Sequence, residues 1–180
     1  MCAPVLKAVS EQHPEHEFYF LTRKIFKPFF RNTENIHLVC SDFKGKHKGI
    51  TGLLRLYKQL KREIGPDLII DLHNVMRTHL LQFYFRLSGI RSYTINKGRK
   101  EKKKLVTKKN KKRIQLKHTV ERYIDTFKKA NLEIIFHPNN FVIFKTDKAN
   151  QKTDTIKIGI APFAKHFQKQ YPLDLMSKVI

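Results

Sequence analysis

Apolar positions along the chain follow two periods. Short continuous runs at Glu17-Phe18-Tyr19-Phe20-Leu21-Thr22, Ile36-His37-Leu38-Val39-Cys40 and Leu68-Ile69-Ile70-Asp71-Leu72 predict buried strands. Ser92-Tyr93-Thr94-Ile95 reads as a further short strand, and residues 155–161 as one more buried one. Between the second and third runs the spacing becomes helical. Leu53, Leu54, Tyr57, Leu60 and Ile64 share one face, while Arg55, Lys58, Lys61 and Arg62 lie mainly off it. Gly65-Pro66 ends that helix. A second helix is predicted over about 75–87, with Gly89 as its C-terminal cap, and a third over about 118–130. Pro172 suits the first turn of a last helix running to Ile180.

Strands alternating with helices over short connections predict parallel βαβ units in an open α/β sheet, with helices on both faces. Such sheets bind ligands beyond the carboxyl ends of their strands. Cys40 to His47, His73 to Arg77 and Asn96 to Lys100 then fall along one functional edge.

Charge changes the picture more than length does. The 180 residues carry 37 Lys or Arg against 15 acids, a net charge of +22. Such a balance implies polyanionic partners: nucleic acid, an anionic membrane surface or phosphorylated small molecules. Residues 97–117 hold twelve Lys or Arg against the single acid Glu101, half of that net charge. A run of this kind reads as a solvated, mobile loop. The 41% hydrophobic content is too high for a disordered chain. No apolar run reaches bilayer-spanning length, and residues 1–7 lack the features of a secretory signal. Cys2 and Cys40 have no disulfide or zinc spacing, which suits a reducing cytoplasm.

Walker, G-x-G-x-x-G, H-E-x-x-H, C-x-x-C and D-x-D patterns are absent from the sequence. Asp67 and Asp71 would mark the two ends of one strand and do not form a joint metal site. Two stretches remain informative. In Asp71-Leu72-His73-Asn74-Val75-Met76-Arg77-Thr78 a strand gives way to a helix. Backbone N–H groups there favour anions, and Arg77 offers a planar fork for phosphate or carboxylate. The plainer alternative has Asn74 capping the helix and His73 packing beside it. In the second stretch, residues 158–172, a strand leads to a polar loop with Lys165, His166 and Lys169, then Tyr171-Pro172. Lys169 stands near a helix start, where a diphosphate could meet it, or is simply a solvated lysine.

These stretches, with Pro4-Val5-Leu6-Lys7-Ala8, Leu21-Thr22-Arg23-Lys24, Asp42-Phe43-Lys44-Gly45-Lys46-His47-Lys48-Gly49 and Lys97-Gly98-Arg99-Lys100-Glu101-Lys102, keep one order along the chain. In that order the chain resembles the glycosyltransferase family 9 heptosyltransferases of lipopolysaccharide core assembly. The resemblance implies a two-domain GT-B enzyme built on Rossmann-like α/β domains. Residues 1–150 would form the acceptor-side domain, and residues 151–180 the beginning of the nucleotide-sugar domain. It also implies transfer of heptose from ADP-heptose to a lipid-linked saccharide, with inversion and without an essential metal or other cofactor.

On the same resemblance Lys169 corresponds to the donor-phosphate lysine, in a Lys-x-aromatic-Pro setting. His73, Asn74, Arg77, Lys97, Arg99 and Lys100 would face the phosphorylated acceptor. The family begins with an apolar strand and a loop ending in Gly-Asp, whose aspartate is its general base. Cys2-Ala3-Pro4 corresponds to the helix after that loop, so the expected base lies upstream of Met1, and most of the donor domain is also missing. The chain is therefore expected to be a partial or inactive form. It is expected in the cytoplasm, peripheral at the inner face of the inner membrane, with the donor, the lipid A/core acceptor and the anionic surface as partners. A basic RNA- or DNA-binding module is the competing reading, with Tyr93 beside the basic segment for base stacking.

Overall fold

The computed structural model describes residues 2–30, 35–107, 114–137, 159, 163–164 and 166–178. The chain divides into two units, Met1–Phe144 and Lys145–Ile180. The predicted strand at 155–161 lies outside the described residues apart from Gly159.

The first unit is an α/β fold of the Rossmann-like kind. In chain order it runs α1 (Cys2–Gln12), β1 (Phe18–Thr22), a 3-10 helix (Lys24–Phe30), β2 (Ile36–Cys40), α2 (Gly49–Glu63), β3 (Leu68–Asp71), α3 (Met76–Leu87), β4 (Arg91–Thr94), α4 (Arg99–Val106) and α5 (Thr119–Lys129). β1 pairs parallel with β2, Phe18 opposite Ile36 and Thr22 opposite Cys40. β3 pairs parallel with β4, Leu68 opposite Arg91 and Asp71 opposite Thr94. No ladder joins the two pairs among the described residues, so the expected single sheet is split in two.

Side-chain alternation shows that the two pairs nonetheless act as one layer. Phe20, Leu38 and Ile70 pack on a core formed by α1, α5 and Phe30 of the 3-10 helix. Leu21, Val39 and Ile69 pack on the opposite core, between α2 and α3. β1, β2 and β3 thus each serve a helical layer on both faces, which is why these segments read as continuous apolar runs. The 3-10 crossover lies on the α1/α5 side, and α2 and α3 cross on the other. Right-handed connections then order the strands β2-β1-β3-β4, with the split between β1 and β3.

Burial follows from that arrangement. Leu56 and Phe85 are 1% exposed and Val5, Ala8 and Val9 are 0% exposed, all on helices. By contrast, Leu68, Ile69 and Ile70 of β3 are only half-buried. Leu56 was absent from the predicted stripe of α2, whose buried face is Gly52, Leu53, Leu56 and Leu60. Each large apolar side chain removed from water contributes about 1.5–3 kcal/mol, so the helix contacts carry most of the cohesion.

Two segments depart from the sequence reading. The 3-10 helix over Lys24–Phe30 was not foreseen, although Phe30 anchors it in the core against Phe20, ring centroids 4.9 Å apart. Residues 99–106, read as part of a mobile loop, form α4. Lys, Arg and Glu are good helix formers, and Glu101 lies in the first turn, where a negative charge favours the helix. None of its residues is buried, and 108–113 lie outside the described residues.

In the second unit a 3-10 turn (Phe167–Lys169) precedes the short helix α6 (Leu173–Met176), with Pro172 as its N-cap. No helix among the described residues is long and apolar enough to cross a membrane.

In a parallel strand, successive residues direct their N–H groups to opposite sides. Amide exchange in β1 and β3 is therefore expected to alternate, slow toward the ladder partner and fast toward the split. Uniform protection along both strands, measured by NMR, would show the split closed in solution.

Candidate functional site

Asp71 ends β3 and is 6% exposed. Its Oδ1 accepts the backbone N–H groups of His73 (2.7 Å) and Asn74 (2.9 Å). Its Oδ2 accepts the Thr78 hydroxyl and the Gln82 amide, both at 2.7 Å. Gln82 in turn accepts the Thr94 hydroxyl at 2.9 Å, and the backbone carbonyl of Asp71 accepts the Ile95 N–H at 2.9 Å. One carboxylate thereby fixes the end of β3, the turn after it, the start of α3 and, through Gln82, the end of β4.

That turn holds the first two predicted site residues. His73 is exposed. Asn74 adopts a left-handed backbone, φ 46°, a conformation Asn tolerates better than most side chains. The N-cap of α3 is Val75, so Asn74 is not the cap that the plainer sequence reading made it. The Val75 N–H is instead received by the Thr78 hydroxyl at 3.0 Å. The Asn74 amide donates to the Ile95 carbonyl at 2.7 Å, and its Oδ1 meets His79 Nε2 at 3.0 Å.

The other predicted residues gather round this turn. Arg99 donates to the Asn74 carbonyl at 2.9 Å, bringing the start of α4 onto it. The Arg77 guanidinium stacks 4.3 Å above the Phe43 ring, joining α3 to the loop after β2. That loop is held by Asp42, whose Oδ1 accepts the N–H groups of Gly45 (2.9 Å) and Lys44 (3.1 Å). Those backbone bonds lower the Asp42 pKa below the usual carboxylate value. His47 is buried, receives the Asp42 N–H on Nδ1 at 3.2 Å, and leaves Nε2 without a hydrogen-bond partner among the described residues.

Lys97 lines a cavity of about 190 Å³ with Leu72, Ile95, Lys102, Arg122 and Tyr123. Arg122 is 6% exposed, and each of its three guanidinium nitrogens makes a hydrogen bond. It donates to the carbonyls of Lys117 and Asn96, each at 3.1 Å, and pairs with Glu101 at 2.5 Å. Gly98, at φ 63°, passes so close that a Cβ there would lie 2.5–2.7 Å from the guanidinium. The only acid of the basic segment is thus spent on a buried arginine. Lys44, Lys48, Arg77, Lys97, Arg99 and Lys100 have no ion-pair partner among the described residues.

Three loops at the carboxyl ends of β2, β3 and β4 are therefore stitched into one edge by Arg77–Phe43, Asn74–Ile95 and Arg99–Asn74. The predicted residues of the first unit all belong to it, with Lys100 exposed in the first turn of α4. Lys169 belongs to the second unit, where it is exposed at the end of the 3-10 turn, and Lys165 lies outside the described residues. Asp71 and Arg122 were missed as organisers. The polar Thr78 and Gln82, seven and eleven residues beyond Asp71, were the available signal for the first. Comparison with known proteins returns no matching family, no matching curated protein and no matching solved structure.

Asp71→Asn replaces one acceptor oxygen by a donor facing Thr78 and Gln82. Hydrogen bonds to charged groups contribute about 1.5–3 kcal/mol, so urea unfolding is expected to show a loss of about 2 kcal/mol. A loss below about 0.5 kcal/mol would remove Asp71 as the organiser.

Because the folded Asp42 has the lower pKa, its contribution is present above the unfolded carboxylate value and lost as pH falls through the folded one. The stability gap between the parent and Asp42→Asn is expected to narrow on acidification in that window. A gap independent of pH would mean that the Asp42 charge does not hold the loop.

Proposed function

We propose that this chain is the acceptor-side part of a heptosyltransferase-type GT-B glycosyltransferase of lipopolysaccharide core biosynthesis. Its basic edge holds the phosphorylated saccharide of a lipid-linked acceptor, and the donor is ADP-heptose. The observation that supports this most is the set of six cations without an ion-pair partner among the described residues on one stitched edge, around a turn where Asp42, Asp71 and Glu101 already accept hydrogen bonds. A phosphorylated sugar offers both the charge and the hydroxyl groups that such an edge can bind.

In the proposed reaction an acceptor hydroxyl attacks the anomeric carbon of the heptose from the face opposite the leaving ADP, which inverts the configuration. The hydroxyl proton passes to a general base, and negative charge grows on the diphosphate. The transition state has oxocarbenium character. Lys169 supplies positive charge to the diphosphate, the role the resemblance gives it. Neither edge carboxylate suits the base. Asp71 accepts four hydrogen bonds, and Asp42 is held in its charged form by backbone N–H groups. The resemblance gives the role of base to the aspartate of a Gly-Asp loop.

α4 adds a second attraction. Exposed Lys and Arg near an anionic leaflet contribute about 1 kcal/mol each, which would hold the edge close to a lipid-linked acceptor.

The test combines binding and turnover. With Lys97, Arg99 and Lys100 all changed to Ala, binding to phosphorylated core oligosaccharide at low salt is expected to weaken by on the order of 100-fold. Binding to anionic vesicles is expected to fall as well. Unchanged oligosaccharide binding with lost affinity for single-stranded RNA would favour the nucleic-acid reading. With labelled ADP-heptose and the lipid-linked acceptor, Lys169→Ala is expected to lower product formation by the protein, and unchanged turnover in that variant would remove Lys169 from the donor site.

A further inference from the structure

The opposite end of the first unit carries an arrangement that the proposed reaction does not use. α1 ends at Gln12, and the turn from His13 to His16 leads into β1, so it lies at the amino ends of the strands. The basic edge lies at their carboxyl ends. In this turn one ligand atom each from His13, Glu15 and His16 lies within 4.8 Å of the other two.

The hydrogen bonding of His13 fixes its tautomer. Nε2 is 2.8 Å from the Glu133 carbonyl oxygen, which can only accept, so Nε2 carries the proton. The neutral ring then presents the Nδ1 lone pair, 3.3 Å from Oε1 of Glu15. Either a proton on Nδ1 or a metal ion satisfies such a pair, and a metal ion can take in His16 as well. Nε2 of His16 approaches the same carboxylate oxygen at 3.5 Å. Donor atoms bound at ~2.0–2.2 Å around a tetrahedral zinc ion lie roughly 3.3–3.5 Å apart. Both of these contacts match that spacing, and the exposed His16 and Glu15 side chains can rotate to close the third.

The surroundings favour the same ligand. A backbone carbonyl on the far ring nitrogen is the usual outer partner of a metal-bound histidine. The turn follows the C-terminus of α1, where the helix dipole favours positive charge. Gln12 exchanges two hydrogen bonds with the backbone of Ile135, each 2.8 Å, so the His13 side of the cluster is pinned.

We propose that His13, Glu15 and His16 form a binding site for a divalent transition-metal ion such as zinc, with water in the fourth position. Bound there, the ion clips the α1–β1 turn to the segment at 133–135. Its role is to stabilise the fold and not to take part in group transfer, because it lies at the far end of the strands.

Cobalt(II) and zinc(II) titrations of the full chain test this, in a Cys2→Ser/Cys40→Ser background that removes thiol competition. One ion per chain is expected, with the visible absorption of four-coordinate cobalt and a higher melting temperature in zinc. Losing an outer-shell partner typically costs about 10–100-fold in metal affinity. His13→Ala and His16→Ala, which remove ligands themselves, are expected to weaken binding at least about tenfold. His16 is exposed, so its variant remains decisive if His13→Ala fails to fold. Absence of binding to the parent chain would overturn the proposal, as would undiminished binding and zinc stabilisation in His16→Ala.

Discussion

The carboxylate of Asp71 accepts hydrogen bonds from two backbone N–H groups, a hydroxyl and an amide in a setting that water hardly reaches. A buried charge is costly unless its acceptor sites are filled, and the donors here come from the turn after β3 and from the first two turns of α3. Filling them dictates the left-handed turn at Asn74, the entry of α3 and the placement of Gln82 against Thr94. The position of His73, the exposed face of Asn74 and the approach of Arg99 all follow. Changing the turn residues would alter the edge locally, whereas removing the carboxylate would release the frame on which they are set.

Arg122 plays the complementary part with a positive charge. Its guanidinium is satisfied by two carbonyls and Glu101, so the buried cation is neutralised. That use of Glu101 leaves Lys97, Arg99 and Lys100 with no ion-pair partner among the described residues. In water their mutual repulsion is softened, since the Debye length is about 8 Å at physiological ionic strength. It is not removed. A multivalent anion on the edge relieves that repulsion as well as adding contacts, which is a physical reason for such an edge to prefer phosphorylated ligands.

Most secondary structure of the first unit was legible because its signals are local. Apolar runs with polar punctuation gave β1 to β4, and the 3.6-residue stripe gave α2. What escaped depends on distant partners. α4 was hidden because its Lys-rich sequence reads as a solvated run, and its tether is Arg122, twenty-one residues beyond Glu101. The 3-10 helix over Lys24–Phe30 depends on Phe30 meeting Phe20. Leu56 lay off the counted stripe and became the most buried residue of α2 only because α3 and the strands enclose it. The edge itself was legible as three loops, since the parallel topology brings strand ends together. Its stitching was not, because Arg77–Phe43 and Arg99–Asn74 join residues 34 and 25 positions apart.

The split between the strand pairs makes the parts of this edge mechanically unequal. Within the β3–β4 half, directional hydrogen bonds through Asp71, Gln82, Asn74 and Arg122 fix the relation of His73, Asn74, Lys97 and Arg99. Across the split no ladder exists among the described residues, and the halves are joined mainly by apolar packing of α2 on α3 and of α1 on α5, with a few hydrogen bonds such as Tyr57–Ser88 and Gln12–Ile135. Such packing is strong but non-directional, and helices can slide slightly where a ladder cannot. The loop carrying Lys44 and Lys48 therefore meets the other half through helix contacts and the Arg77–Phe43 stack. A ligand bridging Lys44 and Arg99 would draw the two halves together, whereas one held by Lys97, Arg99 and Lys100 would meet a frame already set.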